Sequence, residues 1–527
     1  MVGRTSSERQ DSRTTEWSLQ RFPLSAVVSG TDASSEHFSM KTRTSHSAIP
    51  AIFARRRAGT LLHLSSLPAA HGVGDLGPAA HEFARWCASA GQSVWQMLPV
   101  GPVGAGNSPY ASTSSFAGEP LFISLELLVE EGLLSRASLR QSRGEPAVSA
   151  DGPVNWTAAR RFKEPRLRAA YQEQRRKTRG VPAALRAFER QHASWLPGWC
   201  RFAMSQRGAS PDPTYHIWVQ WEFQRQWNLL RARCAALNVL LLGDVPIFVP
   251  LDSADVQDNP RLFRLDRSGR PEVVTGVPPD CFSTTGQLWG HPHYRWSEHR
   301  RTGFAWWIAR IEASLARFDA LRIDHFVGFV HAYEISGTAR TARHGTWRPT
   351  PGAELLTALE RACGRLPLVA EDLGAVTPAV TALRERFGLP GMKLVHNAFY
   401  GPASTDLPCL HPLDCVAYPG THDNDTTVGW WRSLPAEARA RYASYVGAAS
   451  VQQARETLAH SMVQATLQSP ARTAIVAMQD HLGLDRSARM NVPGKGTKQW
   501  CWRMAPDALR GLDATTMRHS AFATARV

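Results

Sequence analysis

Short apolar runs of β type recur along the chain from Gly59 onward, and each run ends in polar residues, glycine or proline. Stretches with apolar residues at helical spacing lie between these runs, so predicted strands and predicted helices alternate. This alternation is typical of an α/β protein with a parallel sheet, and eight runs fit a (β/α)8 TIM barrel. The runs are 59–65, 93–99, 238–245, 318–325, 366–372, 390–395, 414–419 and 473–479.

Two insertions interrupt the alternation. The stretch 120–237 is too long for one crossover and has mainly helical patterning, so we expect an inserted helical subdomain. The stretch 250–300 is rich in Pro, Gly and Asp, and we expect a long inserted loop there. We therefore assign residues 51–520 to one barrel domain that carries both insertions.

Residues 1–50 are rich in Ser, Thr and Arg and lack apolar periodicity, which predicts a disordered N-terminal extension. A transit peptide, or a true start nearer Met40, is the alternative interpretation. Transit peptides are poor in acidic residues, which argues against the first alternative. The acidic residues of this stretch are Glu8, Asp11, Glu16, Asp32 and Glu36.

Acidic residues follow several of the predicted strands. In a barrel of this kind, catalytic residues lie at the carboxyl ends of the strands, where Asp244, Asp324, Glu371 and Asp423 are expected. Any one of them could be a solvated loop residue or a helix cap, but carboxylates at several strand ends of one barrel mouth indicate acid–base chemistry. Two carboxylates that flank a glycosidic bond are sufficient to cleave it.

Arg322 lies two residues before Asp324, on the same face of its predicted strand. It would hold Asp324 ionised and ready to attack a carbon atom. A purely structural ion pair between the two residues is the alternative. Aromatic residues near strand ends, namely Tyr110, Trp289 and the pair 430–431, could stack on sugar rings, although a core position is an even alternative for each Trp.

The bulk properties exclude several classes of function. The net charge of +15 comes mostly from scattered Arg, so we expect no nucleic-acid partner, and no apolar run approaches the roughly 18 residues of a membrane helix. Eight cysteines form no Cys-x-x-Cys pair, and no secretory segment is visible, so we expect free thiols and a cytoplasmic location. His291 and His293 lack the other ligands of a zinc site, and we expect no metal and no cofactor. We expect a monomer or weak homo-oligomer.

Ten segments between about residues 57 and 503 resemble, in the same order, the 4-α-glucanotransferases, also called amylomaltases or disproportionating enzymes. The segments are GTLLHLSSLP with HGVGDLGP (59–78), WQMLPVGPVGAGNSPYAS (95–112), SSFAGEPLFISLELLVEEGLL (114–134), GDVPIFVPLDSADV (243–256), GVPPDCFSTTGQLWGHPHY (276–294), ALRIDHFVGF (320–329), LVAEDLGAVTP (368–378), GLPGMKLV (388–395), YPGTHDNDTTVGWW (418–431) and SARMNVPG (487–494).

The resemblance implies a role for each matching residue. Asp324 matches the family nucleophile, Glu371 the acid/base and Asp423 the transition-state stabiliser. The stretch 276–294 matches a loop over the active-site cleft that keeps water from the intermediate. The matching substrate-binding positions are Tyr110, Asp244, Asp280, Gln287, Trp289, Arg322, His422 and Asn491.

The resemblance further implies transfer of an α-1,4-glucan segment to the 4-hydroxyl of an acceptor glucan or glucose, by a retaining double displacement on maltooligosaccharides. An α-amylase-type hydrolase with the same carboxylates is the alternative. A catalytically inactive glucan-binding protein would not need all three carboxylates. The departures from the family pattern concern subsite preference and are Asn107, Ala111, Glu119, His291 and Val327.

Overall fold

The computed structural model describes residues 50–180, 182–279, 283–401, 404–495 and 499–527. Except for Pro50, the expected N-terminal extension lies outside the described residues. The described part of the chain contains no helix with the length and hydropathy needed to cross a membrane. Its cysteines are free thiols.

The strands of the described residues are numbered in chain order. They are β1 (Arg57–Leu61), β2 (Val94–Gln96), β3 (Leu240–Val245), β4 (Val273–Val277), β5 (Gln287–Pro292), β6 (Ala320–Ile323), β7 (His331–Ser336), β8 (Thr346–Pro349), β9 (Leu368–Ala370), β10 (Gly391–Leu394), β11 (Cys415–Tyr418) and β12 (Thr473–Ala477).

The helices are numbered in the same way. They are α1 (Pro78–Ser89), α2 (Leu125–Glu130), α3 (Trp156–Thr178), α4 (Ala183–Gln191), α5 (Leu196–Ser205), α6 (Pro213–Ala236), α7 (Ala254–Asp258), α8 (Trp296–Arg301), α9 (Ala305–Arg317), α10 (Gly352–Cys363), α11 (Pro378–Arg386), α12 (Thr427–Ser433), α13 (Ala436–Tyr445), α14 (Val451–Glu456), α15 (Leu458–Gln468), α16 (Met478–His481) and α17 (Ala514–Ala523).

Eight strands pair in parallel in the order β10-β11-β12-β1-β2-β3-β6-β9. The amide of Ala370, at the end of β9, donates a 2.9 Å hydrogen bond to the carbonyl of Pro390, just before β10, and so joins the two outer strands. The sheet is therefore the predicted (β/α)8 barrel. Seven of the eight apolar runs contain one of its strands, and the first run overlaps β1, which begins two residues earlier at Arg57.

The barrel interior is filled by apolar side chains from all eight strands. Neighbouring strand residues, such as Leu241 beside Leu242, belong to the larger core outside the barrel, as the alternation of side chains along a strand requires. Strands that are buried on both faces are continuously apolar, which explains why the runs were recognisable. The interior residues include Leu61, Val94, Leu242, Ala320, Val369, Met392, Val416 and Ile475.

The stretch 120–237 contains α2 to α6. Side-chain caps begin the two longest of these helices: Asn155 accepts a 3.0 Å hydrogen bond from the amide of Ala158 at α3, and Asp212 accepts a 2.9 Å bond from Thr214 at α6. These caps satisfy amide groups that a helix start leaves unpaired. Most of these helices contribute to the large outer core, in which α6 packs on α1, and α5 packs on α6 through a smaller apolar cluster.

The stretch 250–300, expected to be a long loop, contains regular structure. It carries α7, α8 and the antiparallel strands β4 and β5, which belong to a second sheet in the order β5-β4-β7-β8. The sequence of β5 includes Gly290 and Pro292, which are unfavourable in strands. The segment therefore has no recognisable strand pattern in the sequence. Because β5 is an edge strand, the sheet tolerates both residues.

Candidate active site

A buried chain of ion pairs, Asp244–Arg322–Asp324, lies at the carboxyl ends of β3 and β6. The Arg322 guanidinium reaches both carboxylate oxygens of Asp244, at 2.7 and 2.9 Å, and one oxygen of Asp324, at 2.9 Å. Tyr110 donates its hydroxyl to Asp244 at 2.7 Å. Burial lowers the pKa of Arg322, but Asp244, Tyr110 and Asp324 outweigh burial and raise that pKa above its usual value. Arg322 therefore stays a cation beside Asp324, whose side chain is 27% exposed.

Glu371 follows β9 and lies against the turn that follows β6. Its carboxylate accepts a 2.7 Å hydrogen bond from the amide of His325, the residue after Asp324. His325 adopts the left-handed conformation, with φ 50°, which a non-glycine residue takes only at a cost. This tight turn places the Glu371 carboxyl group next to Asp324.

The environment of Glu371 favours its protonated form. The pKa of Glu371 is raised to about 8, because burial, with smaller contributions from Asp324 and Asp423, outweighs the opposing effects of Arg322 and the His325 amide. Glu371 thus holds a proton at neutral pH, as a general acid must. Asp324 thus has an arginine partner, whereas Glu371 is buried and protonated. Such different environments allow two carboxyl groups of one site to take different roles.

Asp423 lies in the loop after β11, and its side chain is 38% exposed. The side-chain amide of Asn491 donates a 2.6 Å hydrogen bond to Asp423 Oδ1, and His422 Nε2 lies 3.4 Å from Oδ2. Burial lowers the pKa of His422, although Asp423 opposes this effect. His422 is therefore a neutral neighbour of Asp423.

Aromatic rings line the site on two sides. The rings of Tyr110 and His422 stack with centroids 5.1 Å apart, and Trp500 lies 5.7 Å from the first and 5.8 Å from the second. On β5, the Trp289 indole meets the His325 ring edge-on at 4.8 Å. Gln287, two residues earlier, lies on the same face of β5 as Trp289. The structure therefore brings these predicted residues to the barrel mouth.

Two tryptophans occupy the core position that the sequence left open as an alternative. Trp430 and Trp431, expected as possible sugar platforms, are 4% and 5% exposed. Trp430 stacks on His396 at 4.7 Å, and Trp431 packs edge-on against Tyr442. Both residues face the core because α12 turns them away from the cleft. The predicted substrate-binding residue Asp280 lies outside the described residues.

Some residues at the site were not singled out from the sequence. Trp500 lies in no recognised motif, and the contribution of His325 comes from its backbone amide, which carries no sequence signal. His63 follows β1 and is buried with a pKa of about 3, lowered by burial and by His422. Arg489 donates to the backbone carbonyl of Asp423. These four residues are recognised as part of the site by their burial and their contacts with it, because their residue types alone do not indicate such a position.

The described residues contain one group with the spacing of metal ligands, formed by His71, Asp75 and Glu126. The Lys163 ammonium is fully buried and lies 2.7 Å from Asp75 Oδ2. A protein cation thus already compensates Asp75, so the group is explained as a buried ion pair.

A closed parallel barrel therefore carries at its mouth an arginine-paired carboxylate, a protonated carboxylic acid, a third carboxylate and the partly exposed rings of Tyr110 and Trp289. This combination defines an enzyme that acts on glycosidic bonds by carboxylate chemistry. The model of one family, described as 4-alpha-glucanotransferase, matches residues 62–213 and 203–509. The chain belongs to the 4-alpha-glucanotransferase family, and its activity is of that class.

Individual relatives agree with this assignment. The chain is 39% identical over 505 residues to the 4-alpha-glucanotransferase of Thermus thermophilus, which covers 90% of this chain and 99% of the relative. It is 39% identical over 487 residues to the 4-alpha-glucanotransferase of a Synechocystis species, covering 86% and 95%. The amylomaltase of Streptococcus agalactiae, solved in complex with acarbose, matches with a TM-score of 0.83 and 31% identity over 90% of this chain and 100% of that structure. The predicted fold and family are confirmed.

Proposed function

We propose that the enzyme disproportionates maltooligosaccharides and other α-1,4-glucans by a retaining double displacement. The observation that carries this proposal is the pairing of Asp324 with Arg322 beside a Glu371 whose pKa is about 8. Retaining glycosidases need one nucleophilic and one protonated carboxyl group close together. The names of the relatives and the acarbose complex of the Streptococcus agalactiae enzyme support the substrate class.

In the first half-reaction, Asp324 attacks the anomeric carbon of the donor and forms a covalent glycosyl ester. Glu371 gives its proton to the departing glycosidic oxygen, and the shortened glucan leaves with that oxygen as its 4-hydroxyl. Arg322 holds Asp324 in place for the attack.

In the second half-reaction, Glu371 acts as a base. Asp324 raises the pKa of Glu371 while it is a free carboxylate, so its conversion into a neutral ester lowers that pKa. Glu371 then accepts the proton of the acceptor 4-hydroxyl, whose oxygen attacks the anomeric carbon and releases Asp324. Two inversions restore the α configuration.

We assign Asp423 to the stabilisation of the cationic transition state between these steps. Its carboxylate is held by Asn491 and faces His422, and both partners also offer polar atoms to sugar hydroxyls. We further propose that the remaining predicted residues bind the glucan chain. These are Tyr110, Asp244, Asp280, Gln287 and Trp289.

Transfer requires that a sugar hydroxyl reaches the intermediate before water does. Trp289 on β5, which pairs with β4, contacts the His325 ring edge-on at the barrel mouth, which supports a covering role for this part of the 250–300 insertion. We propose that residues 51–520, with this insertion and the helical stretch 120–237, work as one catalytic domain. The predicted cytoplasmic location and the predicted monomer or weak homo-oligomer stay predictions.

Incubation with maltotriose tests the function directly. We expect glucose together with maltopentaose and longer products, with no net increase in reducing ends. An α-amylase-type hydrolase would instead raise reducing ends and form no product longer than the substrate. Asp324→Ala should lose transfer completely, and substantial remaining activity would contradict the assignment of the nucleophile.

A further inference from the structure

Arg489 lies two residues before Asn491, and its side chain is 16% exposed. Its guanidinium donates one hydrogen bond to the backbone carbonyl of Asp423, at 2.6 Å, and another to the backbone carbonyl of Asn491, at 2.7 Å. Both carbonyls belong to the two residues whose side chains are joined by the 2.6 Å amide–carboxylate bond. Arg489 therefore binds the main chain of both residues that form the Asp423–Asn491 side-chain contact.

The bonds from Arg489 are part of a larger junction between the segment 421–425 and the segment 489–491. The amide of Asn491 donates a 3.1 Å hydrogen bond to the carbonyl of His422. Together with the Asn491 side chain and the Arg489 guanidinium, this makes three hydrogen bonds across the junction. The loop that carries Asp423 is thus fixed by residues about 66–68 positions later in the chain.

The charges of the junction are arranged differently from those around the nucleophile. Asp324 forms an ion pair with Arg322. Among the residues that the structure describes, no Arg or Lys forms an ion pair with the Asp423 carboxylate, whose partners are the Asn491 amide and His422. Arg489 is close to Asp423 but binds its carbonyl oxygen.

The nearest carboxylate partner of Arg489 is Asp425. Arg489 lies 3.9 Å from Asp425 Oδ2, and Arg486 lies 2.6 Å from the same oxygen. Asp425 is 8% exposed and packs against Gly429 at the start of α12, where an added Cβ would lie 2.1 Å from its carboxylate. This anchored carboxylate orients the Arg489 guanidinium along the backbone of the loop and away from the catalytic carboxylate.

We propose that Arg489 is a positioning residue for the glucan transfer reaction, which fixes Asp423 through its backbone and leaves the negative charge of its carboxylate for the cationic transition state. The inference rests on the proposed role of Asp423. An arginine bound to the carboxylate itself would hold it equally well but would cancel much of its charge. Displacement of a catalytic group by about 1 Å can cost about 100-fold in rate.

Arg489→Met tests the proposal, with Arg486→Met as the matched control. Arg486 is 61% exposed and shares the Asp425 oxygen, but no hydrogen bond from its side chain to Asp423 or Asn491 is found in the described chain. We expect Arg489→Met to lower kcat on maltotriose by about 30- to 100-fold, with KM changed by less than about threefold. Arg489→Lys should lie between this variant and the wild type, and Arg486→Met should stay within about twofold of the wild type.

A second readout separates positioning from a general structural effect. 1-Deoxynojirimycin in its cationic form should depend on the Asp423 charge, whereas neutral maltose should depend on it much less. We expect Arg489→Met to weaken the cationic ligand at least about tenfold and maltose by less than about threefold. Equal losses for both ligands, or a kcat within threefold of the wild type, would overturn the proposal. If Arg489→Met does not fold, Arg489→Lys decides by the same two ligands.

Asp423→Asn, measured in parallel, separates this proposal from the proposed function. A normal kcat in that variant would refute the role of Asp423 itself. A large loss in Asp423→Asn with normal kcat in Arg489→Met would refute only the positioning role of Arg489.

Discussion

Glu371 accepts a 2.7 Å hydrogen bond from the backbone amide of His325, the residue that follows the proposed nucleophile. The bond joins the proposed acid/base to the turn that carries Asp324, so it limits the movement of the Glu371 carboxyl group relative to that turn. It also favours the ionised form of Glu371 and so opposes the effect of burial on its pKa. The amide donor is therefore suited to the step in which Glu371 must be a base.

Glu371→Gln should separate the two half-reactions. The variant cannot protonate a glycosidic oxygen, so kcat on maltotriose should fall by about 100- to 10,000-fold. An α-maltosyl fluoride donor needs no proton for its leaving group, so Asp324 should still form the glycosyl ester and release fluoride in a burst. The burst is measured with a fluoride electrode, and trapped enzyme by mass spectrometry. If Glu371→Gln turned over α-maltosyl fluoride as slowly as maltotriose, with no burst of fluoride, the role of Glu371 as the acid would be contradicted.

The pH dependence of the reaction should follow Glu371. Its pKa is raised to about 8 in the free enzyme, so the required proton is present below that pH and lost above it. We therefore expect kcat/KM on maltotriose to be constant near pH 7 and to fall as pH rises through about 8. Because Asp324 contributes to the rise, Asp324→Asn should lower the pKa of Glu371, measured by infrared difference spectroscopy of the carboxyl band. An unchanged pKa in this variant would refute the electrostatic coupling.

The barrel strands were predictable because burial on both faces leaves continuous apolar runs, as in Thr473–Ala477. The smaller sheet was not, because its edge strand contains Gly290 and Pro292, whose residue types favour loops. The strand-end argument predicted that Asp324 and Glu371 follow barrel strands, and the structure has them directly after β6 and β9. It could not find the partners of Asp423, since Asn491 and Arg489 come from distant segments.

Local patterning also left the aromatic residues ambiguous. A tryptophan after a strand end has the same sequence signature whether it faces the cleft or the core. The orientation of Trp430 depends on the packing of α12 against His396, a tertiary contact. The same limit applies to Trp500, which reaches Tyr110 across the fold.

Trp289→Ala should change the fate of the glycosyl ester more than its formation. Its indole contacts the His325 ring edge-on at the mouth, so its loss should admit water and shift products from transfer towards hydrolysis. We expect the ratio of hydrolysis to transfer to rise at least about tenfold, measured as new reducing ends per mole of longer oligosaccharide. Leu288→Ala is the control, because Leu288 is 37% exposed and points to the other face of β5. A similar ratio in both variants would remove the covering role from Trp289.

Asp244→Asn should destabilise the protein and also slow the transfer reaction. The Asp244 side chain is fully buried and holds Arg322 through two hydrogen bonds, so the neutral amide leaves a buried arginine with less compensation. Removing one partner of a buried pair costs about 3–5 kcal/mol, which should appear as a lower midpoint in urea unfolding. Activity should also fall, because Arg322 can then draw Asp324 out of its attacking position.

Glu354→Gln is the control. It breaks the exposed pair with Arg300, which is 49% exposed, and should change stability by less than about 1 kcal/mol. Equal midpoints for Asp244→Asn and the wild type would show that this ion-pair chain does not stabilise the barrel mouth.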